Sequence, residues 1–162
     1  MRINNASSFI RILVTLTLAM CLRILPLPEN IAVFNPDWVL LALVYWSLTL
    51  PERVGIFHAW TFGLLTDVLT GRLLGQYALA YALVIYLCLN LHKRLRHFPL
   101  LQQGLFIFFC LLLSQILLFF IRNIQHPAQL HASFWLPVFS GTLVWPIVYG
   151  ILRLVRLPRH MG

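Results

Sequence analysis

Long apolar runs, interrupted by short clusters of charged residues, constrain the fold of this chain more than any other feature. Inside a bilayer no water satisfies backbone N–H and C=O groups, so such runs form helices whose backbone hydrogen bonds are internal. Only 10% of the 162 residues are charged, whereas soluble domains carry about 25%. The sequence therefore predicts an all-α polytopic membrane protein.

Six segments are apolar enough to be predicted as membrane-spanning helices. They cover residues 9–25, 36–50, 54–70, 76–91, 99–121 and 134–154. No repeat or linker separates them, so we expect a single integral membrane domain over residues 1–162 and a bundle of six transmembrane helices.

The second segment is the shortest, with Asn35 predicted as its N-cap, Pro36 as its first helical residue and Pro51 as its end. Its length of about 22 Å falls short of a hydrocarbon core of about 30 Å. Three alternatives remain for this segment: a short full span, a re-entrant half-helix, or one interrupted helix that continues into the third segment. The charged helix breaker at 51–53 favours a hairpin of two short spans.

The basic residues predict the topology, because cytoplasmic loops are enriched in Lys and Arg. With six spans and a cytoplasmic N-terminus, nine of the twelve Lys and Arg residues lie inside and three lie outside. The inner ones are Arg2, Arg11, Arg53, Lys93, Arg94, Arg96, Arg153, Arg156 and Arg159, and the outer ones are Arg23, Arg72 and Arg122. We therefore expect an inner-membrane protein with both termini in the cytoplasm.

The net charge of +8 does not indicate nucleic-acid binding. The basic residues lie in short clusters between apolar segments and form no continuous face of the kind that a nucleic-acid-binding protein presents. Topology and contact with anionic membrane lipids explain these clusters.

Asp67 is the only acidic residue within a predicted apolar helix. An acid at that depth is costly and indicates a functional site. The alternative is a local role as a cap or an ion pair near the end of its helix, with Arg72 as the nearest candidate partner.

Small residues recur every fourth position around Asp67, and this spacing predicts a close-packing helix face, either within the bundle or towards a partner helix. Ser114 and Gln115, midway along the fifth segment, are predicted to hydrogen-bond between helices. The candidate packing or partner-contact residues are Ala59, Gly63, Asp67, Gly71, Ser114 and Gln115.

The sequence shows no arrangement of side chains that is typical of a catalytic site. Cys21, Cys88 and Cys110 lie inside apolar runs, without metal-ligand spacing, and are expected to be small buried hydrophobic residues. His58 precedes Asp67 by about 13 Å along a helix, too far for a charge relay. We expect no enzyme activity, no metal and no cofactor.

Two stretches of the chain together resemble the MreD family of rod shape-determining proteins. The first is Phe34-Asn-Pro-Asp-Trp38 with the apolar run that follows it, and the second is Gly63-Leu-Leu-Thr-Asp67 with the glycines after it. The likeness extends over nearly the whole chain and is strongest over residues 34–104. Arg23 departs from the family pattern, in which an apolar or uncharged residue is more usual.

This resemblance implies a non-catalytic scaffold of the bacterial elongation machinery, which inserts peptidoglycan along the side wall and maintains rod shape. The implied partner is MreC, with indirect links to MreB, RodA and the transpeptidase partner of RodA. The implied fold is similar to the substrate-binding component of energy-coupling-factor transporters.

That second likeness implies an alternative function, a small-molecule-binding membrane component of a transporter. Such a protein needs polar residues that converge on an outward-facing cavity. The predicted outer loops are poor in polar clusters of this kind, so we favour the scaffold.

Overall fold

The structure, a computed structural model, describes residues 3–125 and 131–156, and every regular element in these ranges is helical. The helices are α1 (Ile3–Ile24), a short α2 (Glu29–Ala32), α3 (Trp38–Thr49), α4 (Ile56–Leu69), α5 (Gln76–Leu95), α6 (Leu100–Gln125) and α7 (Leu136–Arg156). A 3-10 turn at Ala132–Trp135 leads into α7. The predicted all-α fold class is confirmed for the described residues.

Four helical stretches among the described residues are long and apolar enough to cross a membrane. They are Ser7–Ile24, Gln76–Leu95, Leu100–Ile124 and Ala132–Arg156. α3 and α4 are apolar but shorter, with 12 and 14 residues. These helices make the chain a polytopic membrane protein, while the number of six spans stays a prediction.

α3 forms the centre of the bundle and packs against α1, α5 and α7. Ten consecutive residues of α3, from Val39 to Leu48, are buried. The Trp46 indole N–H donates a hydrogen bond to the Thr15 hydroxyl of α1 over 2.9 Å. Because protein surrounds α3 on all sides, this helix does not need to match the thickness of the bilayer.

The start of α3 differs from the sequence prediction. The helix begins at Trp38, and Asp37 is its N-cap because the Asp37 carboxylate accepts a hydrogen bond from the Leu40 N–H over 3.2 Å. Asn35, which we predicted as the cap, instead accepts a hydrogen bond from the Trp38 indole over 2.7 Å. Pro36 therefore precedes the helix, and the whole cap lies two residues later than predicted.

Candidate functional site

Asp67 lies near the end of α4 and is completely buried. Its carboxylate accepts hydrogen bonds from the backbone N–H groups of Gly75, Tyr77 and Ala78 over 2.9, 3.0 and 3.4 Å. These N–H groups lie at the start of α5, where a helix has no internal acceptors for them. The geometry supports the local-cap alternative for Asp67, but the partner is the start of α5 and not the side chain of Arg72.

Gly63 lies where the backbones of α4 and α5 cross. A Cβ atom on Gly63 would lie 2.4 Å from the Cα and 2.6 Å from the backbone nitrogen of Ala78. Ala59, one turn earlier, is also buried. Gly71 and Gly75 lie in the α4–α5 loop with positive φ angles of 63° and 104°, so their role is in the turn.

A second carboxylate, the partly buried Asp37, has side-chain partners in addition to the Leu40 N–H. The Arg23 guanidinium forms an ion pair with Asp37 at 2.9 Å, and the Tyr81 hydroxyl lies 2.7 and 2.8 Å from the two carboxylate oxygens. Arg23 also donates to the Tyr77 hydroxyl over 2.5 Å. The ion pair explains why a charged residue is tolerated at position 23, since α1 meets the N-cap of α3 there.

A cavity of about 440 Å³ opens beside this ion pair, at the end of the bundle where α1, α4 and α6 end and α3, α5 and α7 begin. Arg23, Asp37, Arg72, Tyr77, Gln115 and Arg122 line it, together with other residues. We call it the arginine cavity. We expected the outer loops to be poor in polar clusters, and most of the polar side chains of this cavity come instead from helix ends that are far apart in the sequence.

A smaller cavity of about 270 Å³ lies at the opposite end of the bundle. It is lined by Arg96, Arg153 and Arg156 among others. Nearby, the Arg11 guanidinium donates to the backbone carbonyls of Val155 and Arg156 over 3.3 and 2.9 Å. Basic residues therefore gather at both ends of the bundle.

The six candidate residues from the sequence do not form one site. Ala59, Gly63 and Asp67 lie in the α4–α5 contact, and Gly71 lies in the loop beyond it. Ser114 is buried within α6.

Gln115 lies beside Ser114 and lines the arginine cavity. Its side-chain NH₂ group donates to the carbonyl of Phe134, in the turn before α7, over 2.7 Å.

Apart from Gln115, the residues that line the arginine cavity were not predicted as part of a site. The sequence indicated Arg23, Arg72 and Arg122 only as the minority of charges on the outer side. Each lies within a few residues of a helix end, and the six-span topology places all three ends on one side of the membrane. This shared position was the one feature of the sequence that could have predicted that the three arginines lie close together.

Comparison with known proteins identifies the family. The family model described as rod shape-determining protein MreD matches residues 2–155. The Rod shape-determining protein MreD of Haemophilus influenzae is 30% identical over 139 residues, which are 86% of this chain and 86% of that protein. No solved structure matches the chain significantly. The chain therefore belongs to the MreD family of rod shape-determining proteins.

Proposed function

We propose that this chain is a non-catalytic scaffold of the elongation machinery in the bacterial inner membrane. It acts through association with MreC, and through MreC it is linked to MreB, RodA and the transpeptidase partner of RodA. Its loss disturbs side-wall peptidoglycan synthesis and rod shape. Membership of the MreD family supports this role.

The non-catalytic part of the proposal is carried by the hydrogen-bond partners of the two carboxylates within the bundle, Asp67 and Asp37. Asp67 is saturated by backbone N–H groups, and Asp37 is engaged by Arg23, Tyr81 and the start of α3. Among the described residues, neither carboxylate is hydrogen-bonded to a Ser, Cys or His side chain. A nucleophile is normally activated by such a contact, so the two acids serve the fold.

The proposed topology has six spans with both termini in the cytoplasm. Its support is the grouping of Arg23, Arg72 and Arg122 at one end and of Arg153 and Arg156 at the other. The predicted inner residues Arg2 and Arg159 lie outside the described residues.

Cysteine labelling tests this topology in a variant whose three native cysteines are replaced by Ala. A membrane-impermeant thiol reagent applied to intact spheroplasts is expected to label His131→Cys and to miss His97→Cys. The stretch from 126 to 130, beside His131, lies outside the described residues. Labelling at position 97 from outside would contradict the six-span topology.

Depletion in a rod-shaped host tests the function. We expect rounded, swelling cells while MreC and the synthases are still made, and we expect the chain to co-purify with MreC from detergent when both are expressed. Re-expression of the wild-type chain restores rod shape, as the matched control. Depleted cells that remain rods would contradict the scaffold.

The arginine cavity favours a second candidate function, a small-molecule-binding membrane component of a transporter. Polar side chains from several helices converge on it, as such a component requires. The same depletion strain separates the two candidates: rods that lose uptake of a solute would favour the transporter component over the scaffold.

A further inference from the structure

We propose that the arginine cavity binds the phosphate group of a membrane-lipid headgroup. This inference goes beyond the scaffold role and does not depend on it, because it concerns what the isolated chain binds. It rests on the charge of the cavity, on the way its arginines are held, and on its position at the membrane boundary.

The cavity carries an excess of positive charge. Arg23, Arg72 and Arg122 line it, against the single carboxylate of Asp37, which is paired with Arg23. Arg72 and Arg122 are each half-buried, and no carboxylate among the described residues lies within 4.0 Å of either. Two guanidinium groups thus face one cavity without an anionic partner.

The rest of the chain holds no acid that is placed to neutralise them. The sequence has four acidic residues, and all four lie within the described ranges. Asp67 is used at the start of α5, and Glu52 lies between α3 and α4, at the opposite end of the bundle. Glu29 is exposed on α2 and forms no ion pair with a described residue. The described part of the cavity therefore keeps an excess of positive charge, which an anionic ligand would neutralise.

Aromatic rings hold the two unpaired arginines. The Arg72 guanidinium lies 5.6 Å from the centre of the Tyr77 ring, and that of Arg122 lies 5.7 Å from the centre of the Phe134 ring. A guanidinium without a carboxylate partner keeps N–H groups available, and these groups match the geometry of a phosphate, which they bind in a bidentate manner. The two arginines therefore suit a tetrahedral oxyanion.

The position of the cavity favours a lipid over a free anion. Leu73 and Leu74, directly after Arg72, are exposed, and so is Ile124, two residues after Arg122. Apolar side chains exposed at the ends of membrane helices contact acyl chains, whereas Arg at that level reaches the headgroups. A volume of about 440 Å³ lies within the range of about 300–1,000 Å³ of small-ligand sites and holds a phosphate with its glycerol.

A thermal-unfolding titration of the full chain in detergent tests the ligand class. Short-chain phosphatidylglycerol is expected to raise the Tm in a saturable manner. Diacylglycerol, which lacks the phosphate, and inorganic phosphate at the same concentration are expected to leave the Tm unchanged. An equal shift with inorganic phosphate would overturn the lipid assignment in favour of a soluble anion, and an equal shift with diacylglycerol would overturn the role of the phosphate.

The double variant Arg72→Gln/Arg122→Gln tests the site. Each basic residue near a lipid surface contributes about 1 kcal/mol, so the half-saturating phosphatidylglycerol concentration should rise about 30-fold. The matched control is Lys93→Gln/Arg94→Gln, which removes two charges at the opposite end and should titrate like the wild type. Equal weakening in the control would mean non-specific attraction, and unchanged binding in the double variant would also overturn the proposal.

The Tm measured without lipid separates a loss of folding from a loss of lipid binding. The double variant loses the repulsion between two like charges but also two ring contacts, so its lipid-free Tm should stay close to that of the wild type. If the double variant cannot be purified, Arg72→Gln alone, whose side chain lies outside a helix, should weaken binding about fivefold. Native mass spectrometry should then show fewer retained lipids on this variant than on the control, and equal retention would contradict the proposal.

Discussion

The carboxylates of Asp67 and Asp37 stand in contrasting surroundings. Asp67 is bound by backbone N–H groups inside the α4–α5 contact, where Gly63 brings the two helices together. Asp37 is bound by the side chains of Arg23 and Tyr81 as well as by the Leu40 N–H, and it borders a cavity. Backbone partners cannot rotate away, whereas side chains can change rotamer, so we expect the Asp37 region to be the more adaptable of the two.

This contrast separates a structural acid from one beside a cavity. The Asp67 region connects two helices that are adjacent in the chain, and Asp67 is fully buried between them. The Asp37 region connects α1, α3 and α5, which are distant in sequence, and it leaves room for another molecule. Substitutions in the first region should therefore cost stability, and those in the second should be partly compensated.

Gly63→Leu is expected to have the largest effect. Its Cβ alone would lie within 2.8 Å of three backbone atoms of Tyr77 and Ala78, and overpacking of this kind costs about 3 kcal/mol or more, because backbone cannot move aside as a side chain does. The level of folded protein in the membrane and the Tm in detergent measure the loss. Gly104→Leu is the matched control, since nothing lies within 4 Å of a Cβ there. Equal Tm values for the two variants would contradict the rigid contact.

Replacing Asp67 or Asp37 with asparagine tests the difference between the two regions directly. Asp67→Asn replaces one of two acceptor oxygens by an NH₂ group that faces backbone N–H donors, and a buried unsatisfied group costs about 1–3 kcal/mol. Asp37→Asn should cost less, because the Tyr81 hydroxyl can rotate and Arg23 keeps its bond to Tyr77. Thermal unfolding in detergent measures both. A Tm loss for Asp37→Asn that exceeds that for Asp67→Asn would reverse our interpretation.

A double-mutant cycle on Arg23 and Asp37 is expected to give the smallest effect. The two side chains are 16% and 15% exposed and lie beside a cavity, so solvent reduces their coupling from the large values of fully buried pairs. We expect a coupling energy of about 1 kcal/mol between Arg23→Gln and Asp37→Asn. Additive losses would show that the two residues act independently despite their contact.

The helices were predictable from the sequence because a bilayer accepts little else, and all six predicted segments overlap helices in the structure. Their ends were less predictable, because competing polar residues decide them. Both Asn35 and Asp37 have side chains that can cap the N-terminus of α3. In the structure the Asn35 side-chain oxygen accepts a hydrogen bond from the Trp38 indole instead, which leaves Asp37 as the cap. The short α2 was not predicted, since four residues show no periodicity.

The arginine cavity was not predictable from local patterns. Arg23, Arg72 and Arg122 belong to three different helix ends, and only the packing of the bundle brings them to one cavity. The role of Asp67 was open for a similar reason. Its bonds to the start of α5 depend on a loop that folds back through two positive-φ glycines, and the sequence shows the glycines but not the direction of the loop.

The short length of α4 has a consequence for the surrounding bilayer. α4 has 14 residues, or about 21 Å, and exposes Phe57, Trp60 and Val68. α6 has 26 residues, or about 39 Å, and also exposes apolar side chains. In the proposed six-span topology, lipids beside α4 would have to shorten to cover its apolar surface while those beside α6 would not, so the hydrophobic mismatch would be one-sided. The membrane would then be thinner on the flank of α4, and partner helices with short apolar segments would fit there at the lowest cost.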